Sequence, residues 1–232
     1  MKKLKLFISV LLILFLLILG MYIYLNKDQY SYIGTENYDY EDHEGYKLFK
    51  SEQNSKHAII FFTGAKVDPL SYSKLFDMLR NDGIDVYALE FSFNMAFFSR
   101  GLPQEIENLE SDIYLMGHSL GGTVMSSFVE SEKIKPQGII YLASYPSDTY
   151  SLKNIDVRAL SIIGSEDGLI SYEGINEELV NMPKDTTFQL IQGANHSGFG
   201  EYGHQKKDNE SKLESDEQII KTYSLIKDFI FK

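Results

Sequence analysis

The stretch Gly117-His118-Ser119-Leu120-Gly121-Gly122 constrains this chain more than any other. It fits the pattern G-x-S-x-G, which places a serine on a sharp turn between a strand and a helix. Both neighbours suit that reading. Ser111-Asp112-Ile113-Tyr114-Leu115-Met116 is a short run that reads as a buried strand, and Thr123 to Glu130 reads as a helix. A turn this tight strains the serine backbone and needs neighbours without a Cβ, so that strand and helix can approach closely. A bare G-x-S-x-G also arises by chance; the strand before it and the helix after it set this one apart. The pattern therefore demands a sheet with a serine hydroxyl lifted above one end.

The rest of the chain supplies that sheet. Ala58 to Phe62, Asp85 to Leu89, Gly138 to Ala143, Arg158 to Ile163 and Thr187 to Ile191 read as further strands. Ser71 to Leu79 reads as a helix, and the turn Asn81-Asp82-Gly83 follows it. Glu214 to Phe231 closes as an amphipathic helix, with Ile219, Ile220, Tyr223, Ile226, Phe229 and Ile230 at helical spacing on one side. Alternation of this kind predicts an α/β fold, a mostly parallel central sheet with helices on both faces. Functional groups then belong in the loops at the C-terminal ends of the strands.

The N-terminus is different in kind. Lys2, Lys3 and Lys5 precede an uncharged run from Phe7 to Leu25, close to the roughly 20 residues a helix needs to cross a bilayer. Tyr22 and Tyr24 lie where interfacial aromatics are common. A cleaved signal peptide would have a shorter apolar run ending at small residues. Here the run ends Gly20-Met21-Tyr22-Ile23-Tyr24-Leu25-Asn26, so an uncleaved signal anchor is expected, with secretion after cleavage as the alternative. Positive residues favour the cytoplasmic side, which makes this a single-pass protein of the cell membrane with its main domain outside. The organisation predicted is an anchor over 1–26, a juxtamembrane linker over 27–46 that leads into a first edge strand, and the main α/β domain over 47–232. The chain contains no cysteine, so disulfides and lipidation at cysteine are excluded. The formal net charge is −11, and the part beyond the N-terminal lysines is more acidic still. That argues against nucleic acid as a partner.

A serine hydroxyl is a poor nucleophile near neutral pH. It needs a base, and the base needs an orienting acid. After an elbow the expected chain order is serine, acid, histidine. The strand ending at Ile163 runs into Gly164-Ser165-Glu166-Asp167-Gly168, and Asp167 is the candidate acid, with Glu166 the alternative. The next strand runs into Gly193-Ala194-Asn195-His196, and His196 is the candidate base, with His204 the alternative. His43 and His57 precede the elbow, and His118 cannot readily reach round to its neighbour Ser119. An acyl-transfer site also needs donors for the oxyanion. The backbone N–H of Leu120 is one candidate, and that of Ala65, in Thr63-Gly64-Ala65-Lys66, is the other. Phe93, Met95, Phe97 and Phe98, after the second strand, and Tyr145 are candidates for the substrate wall, with packing in the core as the other reading of the first four. No metal or organic cofactor is required. Ala143 reaches the next strand near Val157 in too few residues for a sizeable cap domain.

From Lys56 to Lys232 the chain resembles the α/β-hydrolase superfamily, and within it the small capless dienelactone-hydrolase-like bacterial members. The resemblance rests on Phe61-Phe62-Thr63-Gly64-Ala65-Lys66-Val67-Asp68-Pro69, on Asn94-Met95-Ala96-Phe97-Phe98 and on the elbow. It continues in Leu142-Ala143-Ser144-Tyr145-Pro146, in the acid loop, and in Gly193 to Gly200. Thr63 stands where many relatives have His. Ser119 stands where dienelactone hydrolases have Cys, which argues against a dienelactone substrate. The resemblance implies an α/β-hydrolase fold and a serine hydrolase cleaving a small ester-like substrate through an acyl-enzyme. Acyl transfer, and thioester or amide hydrolysis, use the same groups. A non-catalytic anchored binding module on the same fold is the alternative of another class.

Overall fold

The computed structural model describes residues 2–98, 101–102, 106, 109–131, 133–170 and 179–232. Eight strands form one sheet: β1 (Glu41–His43), β2 (Tyr46–Phe49), β3 (His57–Phe62), β4 (Ile84–Leu89), β5 (Asp112–His118), β6 (Gly138–Leu142), β7 (Arg158–Gly164) and β8 (Asp185–Ile191). Their spatial order is β1-β2-β4-β3-β5-β6-β7-β8. β1 and β2 pair antiparallel with each other, and β2 pairs antiparallel with β4; every other pairing is parallel. The described helices are α1 (Lys2–Asn26), α2 (Ser73–Asn81), α3 (Leu120–Glu130) and α4 (Ser215–Phe231). This is the α/β architecture that the alternation of segments predicts.

Strand periodicity explains the two cores. Successive strand residues face opposite sides, so Ile59 and Phe61 of β3 pack in one cluster while Ile60 and Phe62 pack in the other. The first cluster is covered by Leu75, Phe76 and Leu79 of α2 and by Ile219, Ile226 and Ile230 of α4. The second is covered by Met125, Phe128 and Val129 of α3. All four β3 side chains are fully buried, each contributing roughly 1.5–3 kcal/mol of apolar burial. A strand covered on both faces has no polar side, which is why β3 reads as a continuous apolar run. β8, at the sheet edge, is mostly exposed.

Three details depart from the sequence reading. The helix expected from Ser71 starts as a 3-10 turn over Pro69–Tyr72, and α2 follows from Ser73. Asp68 causes this: its Oδ1 accepts from Leu70 N at 2.9 Å, with Pro69 fixing the first φ. β8 begins two residues early, at Asp185. β1 falls within 27–46, and Tyr30 in the same stretch bridges to Val67. Between β6 and β7 the connection holds a single 3-10 turn, Asp148–Tyr150, so no cap covers the sheet end there.

α1 stands apart from both cores. From Phe7 to Tyr24 its side chains are exposed. Over Phe7–Asn26 its mean hydropathy is 2.8, long and apolar enough to cross a membrane.

Candidate active site

β5 ends at His118, and α3 begins at Leu120. Ser119 alone makes the turn, at φ 52° and ψ −128°, a region that costs a residue with a Cβ of order 1–3 kcal/mol. Two contacts hold it there. Ser119 N donates to Leu142 O of β6 at 3.0 Å, and Ser144 Oγ donates to Ser119 O at 2.6 Å. The flanking glycines are required by approach: a Cβ on Gly117 would lie 2.5 Å from Gly122 Cα. One on Gly121 would collide with the carbonyl oxygens of Phe62 and Thr63. Ser119 itself is half-buried, with its hydroxyl at the C-terminal end of the sheet.

The acid and base loops leave β7 and β8 at the same end. His196 Nδ1 lies 2.9 Å from Asp167 Oδ2, and both side chains are buried. The other Asp167 oxygen, Oδ1, accepts from Leu169 N at 2.9 Å and Ile170 N at 2.8 Å. That pins the carboxylate and leaves Oδ2 to the imidazole. His196 Nε2 is buried and has no hydrogen-bond partner among the described residues, Ser119 included. A buried imidazole nitrogen without a partner is unusual, and hydrogen bonds between nucleophile and base are often long in the free state of an enzyme. The alternatives are placed elsewhere. Glu166 turns out to Lys212 Nζ at 2.8 Å, which with the Ser165 hydroxyl lowers its pKa. His204 is largely exposed and lies 3.8 Å from Glu210.

Two supports around these residues have no counterpart in the sequence reading. The first is Asp208. Its carboxylate accepts from Ser197 Oγ at 2.6 Å, Ser197 N at 2.8 Å, Gly168 N at 3.0 Å and His196 N at 3.2 Å. One side chain therefore ties the acid loop to the base loop. Burial pushes the Asp208 carboxyl up, but these donors outweigh it and hold its pKa below the usual carboxylate range. The second is a buried chain through His118. Gly64 N donates to Tyr72 Oη at 3.3 Å, and Tyr72 Oη meets His118 Nδ1 at 2.8 Å. His118 Nε2 meets the His196 carbonyl at 3.2 Å. The carbonyl can only accept, so Nε2 carries the proton and Tyr72 donates to Nδ1. Burial and the nearby His196 hold His118 well below the ordinary imidazole pKa. Both ring nitrogens of His118 are thus engaged, by Tyr72 and by the His196 carbonyl.

The oxyanion candidates sit on two turns. Leu120 is the first residue of α3, and Ala65 follows the end of β3. Neither N–H has a partner among the described residues. Lys66, the next residue, has φ 63°, and its N–H donates to Asn94 O at 2.6 Å. Of the wall candidates, Tyr145 is half-buried against the α3-side cluster, and Phe97 is 71% exposed. The Phe98 side chain lies outside the described residues. No group of three or more His, Asp or Glu among the described residues is arranged to hold a metal.

The family model for the alpha/beta hydrolase family matches residues 58–220. No curated protein matches the sequence. Solved structures share the fold at low identity. A predicted CIB-like hydrolase from Thermoplasma acidophilum is 17% identical, with TM-score 0.56, covering 83% of this chain and 98% of that one. A dienelactone hydrolase from Anabaena variabilis is 11% identical, with TM-score 0.60, covering 80% and 90%. A monoacylglycerol lipase from Paleococcus ferrophilus is 16% identical, with TM-score 0.55, covering 82% and 99%. The match spans β3 through the start of α4, elbow and both loops included, and the chain is a hydrolase belonging to the alpha/beta hydrolase family.

Proposed function

We propose that this protein is a membrane-anchored serine hydrolase that cleaves a carboxylic ester through an acyl-enzyme. The observation that carries the reading is the buried Asp167–His196 contact, with His196 Nε2 left unpaired at the sheet end where the elbow holds Ser119. Ser119 Oγ attacks the ester carbonyl, and its proton passes to His196 Nε2. Asp167, fixed by two backbone donors, orients the ring and stabilises its charged form. The N–H groups of Leu120 and Ala65 hold the oxyanion. The carbonyl–alkoxy bond breaks, and His196 returns the proton to the departing alkoxide. Water, activated by the same imidazole, then releases the acid and restores Ser119. That a protein of the same fold is a monoacylglycerol lipase agrees with ester cleavage. α1 anchors the enzyme, with Lys2, Lys3 and Lys5 on the cytoplasmic side and the catalytic domain outside.

A fluorophosphonate tests the nucleophile. Mass mapping is expected to place the label on Ser119 alone, and Ser119→Ala is expected to fold and lose it. His196→Ala and Asp167→Asn are expected to lower turnover by about 10³-fold or more, whereas His204→Ala leaves it unchanged. Label on another serine, or damage from His204→Ala and not from His196→Ala, overturns the assignment. The anchor is tested in the same preparation: the full chain is expected to pellet with membranes and to resist extraction by high salt. Protease added to intact, wall-stripped cells is expected to reach the domain.

A further inference from the structure

α1 is not joined to the domain by a free tether. Lys66 Nζ donates to the carbonyls of Tyr24 at 3.2 Å and Lys27 at 2.7 Å, and lies 5.0 Å from the Tyr24 ring centre. Gln29 Nε2 donates to Leu25 O at 2.7 Å and to Phe93 O at 3.2 Å, while its Oε1 accepts from Asn94 Nδ2 at 3.2 Å. Tyr30 N donates to Lys66 O at 2.8 Å, and Asp68 N to Tyr30 O at 2.9 Å. The last turns of the helix are therefore fastened to the same turn that carries Ala65.

Beside these bonds lies a groove of about 410 Å³, lined by Leu17, Ile18, Met21, Tyr22, Leu25 and Phe93. The five helix positions share one face of α1, and the Phe93 ring meets Tyr22 edge-on at 6.2 Å. Apart from Tyr22, the lining offers no hydrogen-bonding side chain. The groove has room for on the order of a dozen waters but nothing to hold them. One wall is a helix whose other faces would be in lipid. In a bilayer such a space takes up an alkyl chain. Its Phe93 wall is linked to the turn that carries Ala65: Phe93 precedes Asn94, whose carbonyl accepts from Lys66 N at 2.6 Å, and Lys66 follows Ala65. Phe93, Asn94 and Lys66 all have left-handed backbones, with φ of 59°, 49° and 63°. Strain of this kind concentrates at functional sites.

We propose that this groove is the port by which the acyl chain of a bilayer-resident ester reaches Ser119. The proposal rests on the anchored serine-hydrolase reading above and adds to it the substrate class and the route. The substrate is amphiphilic: its acyl chain lies along α1, its ester carbonyl sits at the elbow, and its alcohol part faces water. The reaction is unchanged, with ester C–O cleavage and acyl transfer to Ser119 Oγ and then to water. A short soluble ester does not need the groove.

The full chain, reconstituted in vesicles of diether phosphatidylcholine, is given 4-nitrophenyl palmitate dissolved in the bilayer or 4-nitrophenyl butyrate in the water. Met21→Trp fills the groove, and Leu16→Trp adds the same ring on the opposite face. The kcat/KM ratio of palmitate to butyrate is expected to fall at least tenfold in Met21→Trp and to stay within twofold of wild type in Leu16→Trp. An unmoved ratio in Met21→Trp, or an equal fall in Leu16→Trp, overturns the port. Wild type that cleaves butyrate and not palmitate overturns the port while leaving the hydrolase reading intact; cleavage of neither overturns both. A palmitoyl ester with a diazirine on its chain gives a second readout in Ser119→Ala protein. Crosslinks are expected at Leu17, Met21 and Phe93, and uniform labelling around α1 overturns the proposal even where Met21→Trp fails to insert.

Discussion

Burial decides what His118 does. It sits one residue from the proposed nucleophile, yet its ring is sealed among Tyr72, Phe199 and Tyr202 and its pKa lies well below the ordinary imidazole value. In the unfolded chain the same ring protonates near pH 6.5. Below that pH the unfolded state binds a proton that the folded state refuses, so stability falls as pH falls. The contribution is fully present above about pH 6.5 and is lost progressively down to the folded pKa. His118→Asn is expected to flatten this part of the stability curve, measured as denaturant midpoint between pH 4 and 7. An unchanged slope would show that another group carries it. That Ser119, Asp167 and His196 follow strands at one end of the sheet was legible in the sequence, because each comes after an apolar run; their roles are the proposal above. Asp208 was not, because its role exists only in space: it serves His196 and Gly168 from 12 and 40 residues away. Tyr72 was hidden in the same way. Its hydroxyl matters through Gly64 and His118, and in the sequence it is one more apolar residue of a helix.

Among the elements, the crossing of β5, α3 and β3 is the least forgiving. Gly121 lies on the Phe62 and Thr63 carbonyls, and backbone cannot step aside as a side chain can. Gly121→Ala is therefore expected to destabilise the protein by about 2 kcal/mol or more, read as a lower denaturant midpoint. The same substitution at Gly20, which has nothing within 4 Å, is expected to leave the domain's midpoint unchanged. Equal midpoints for Gly121→Ala and wild type would mean that the elbow can open. The buried strands announced themselves as apolar runs because they are covered twice. β1 did not: Glu41-Asp42-His43 is exposed throughout and has no apolar face, so only its pairing with β2 makes it a strand. The 3-10 start of α2 was likewise set by the local bonds of Asp68 rather than by periodicity.

At the scale of the whole molecule, the groups of the site come from far-apart parts of the chain. The turns of the proposed oxyanion donors and nucleophile are held by β3, β5 and β6, whereas the proposed acid and base depend on β7, β8 and the C-terminal helix α4. The tie to α4 is made by Gln218. It is buried, and its side chain grips the residue before the base, with Nε2 donating to Asn195 O at 2.8 Å and Oε1 accepting from Asn195 N at 3.1 Å. That grip has a consequence in time. A ribosome makes α1 first and α4 last, so the nascent protein can carry a finished Ser119 turn well before its base is set. On the proposed triad, the enzyme is expected to stay silent during its own synthesis until α4 has been made and has packed. Chains stopped after Leu213 during in-vitro translation are expected to take up no fluorophosphonate, while full-length chains label at Ser119. Full labelling of the stopped chains would show that the base finds its place without the final helix.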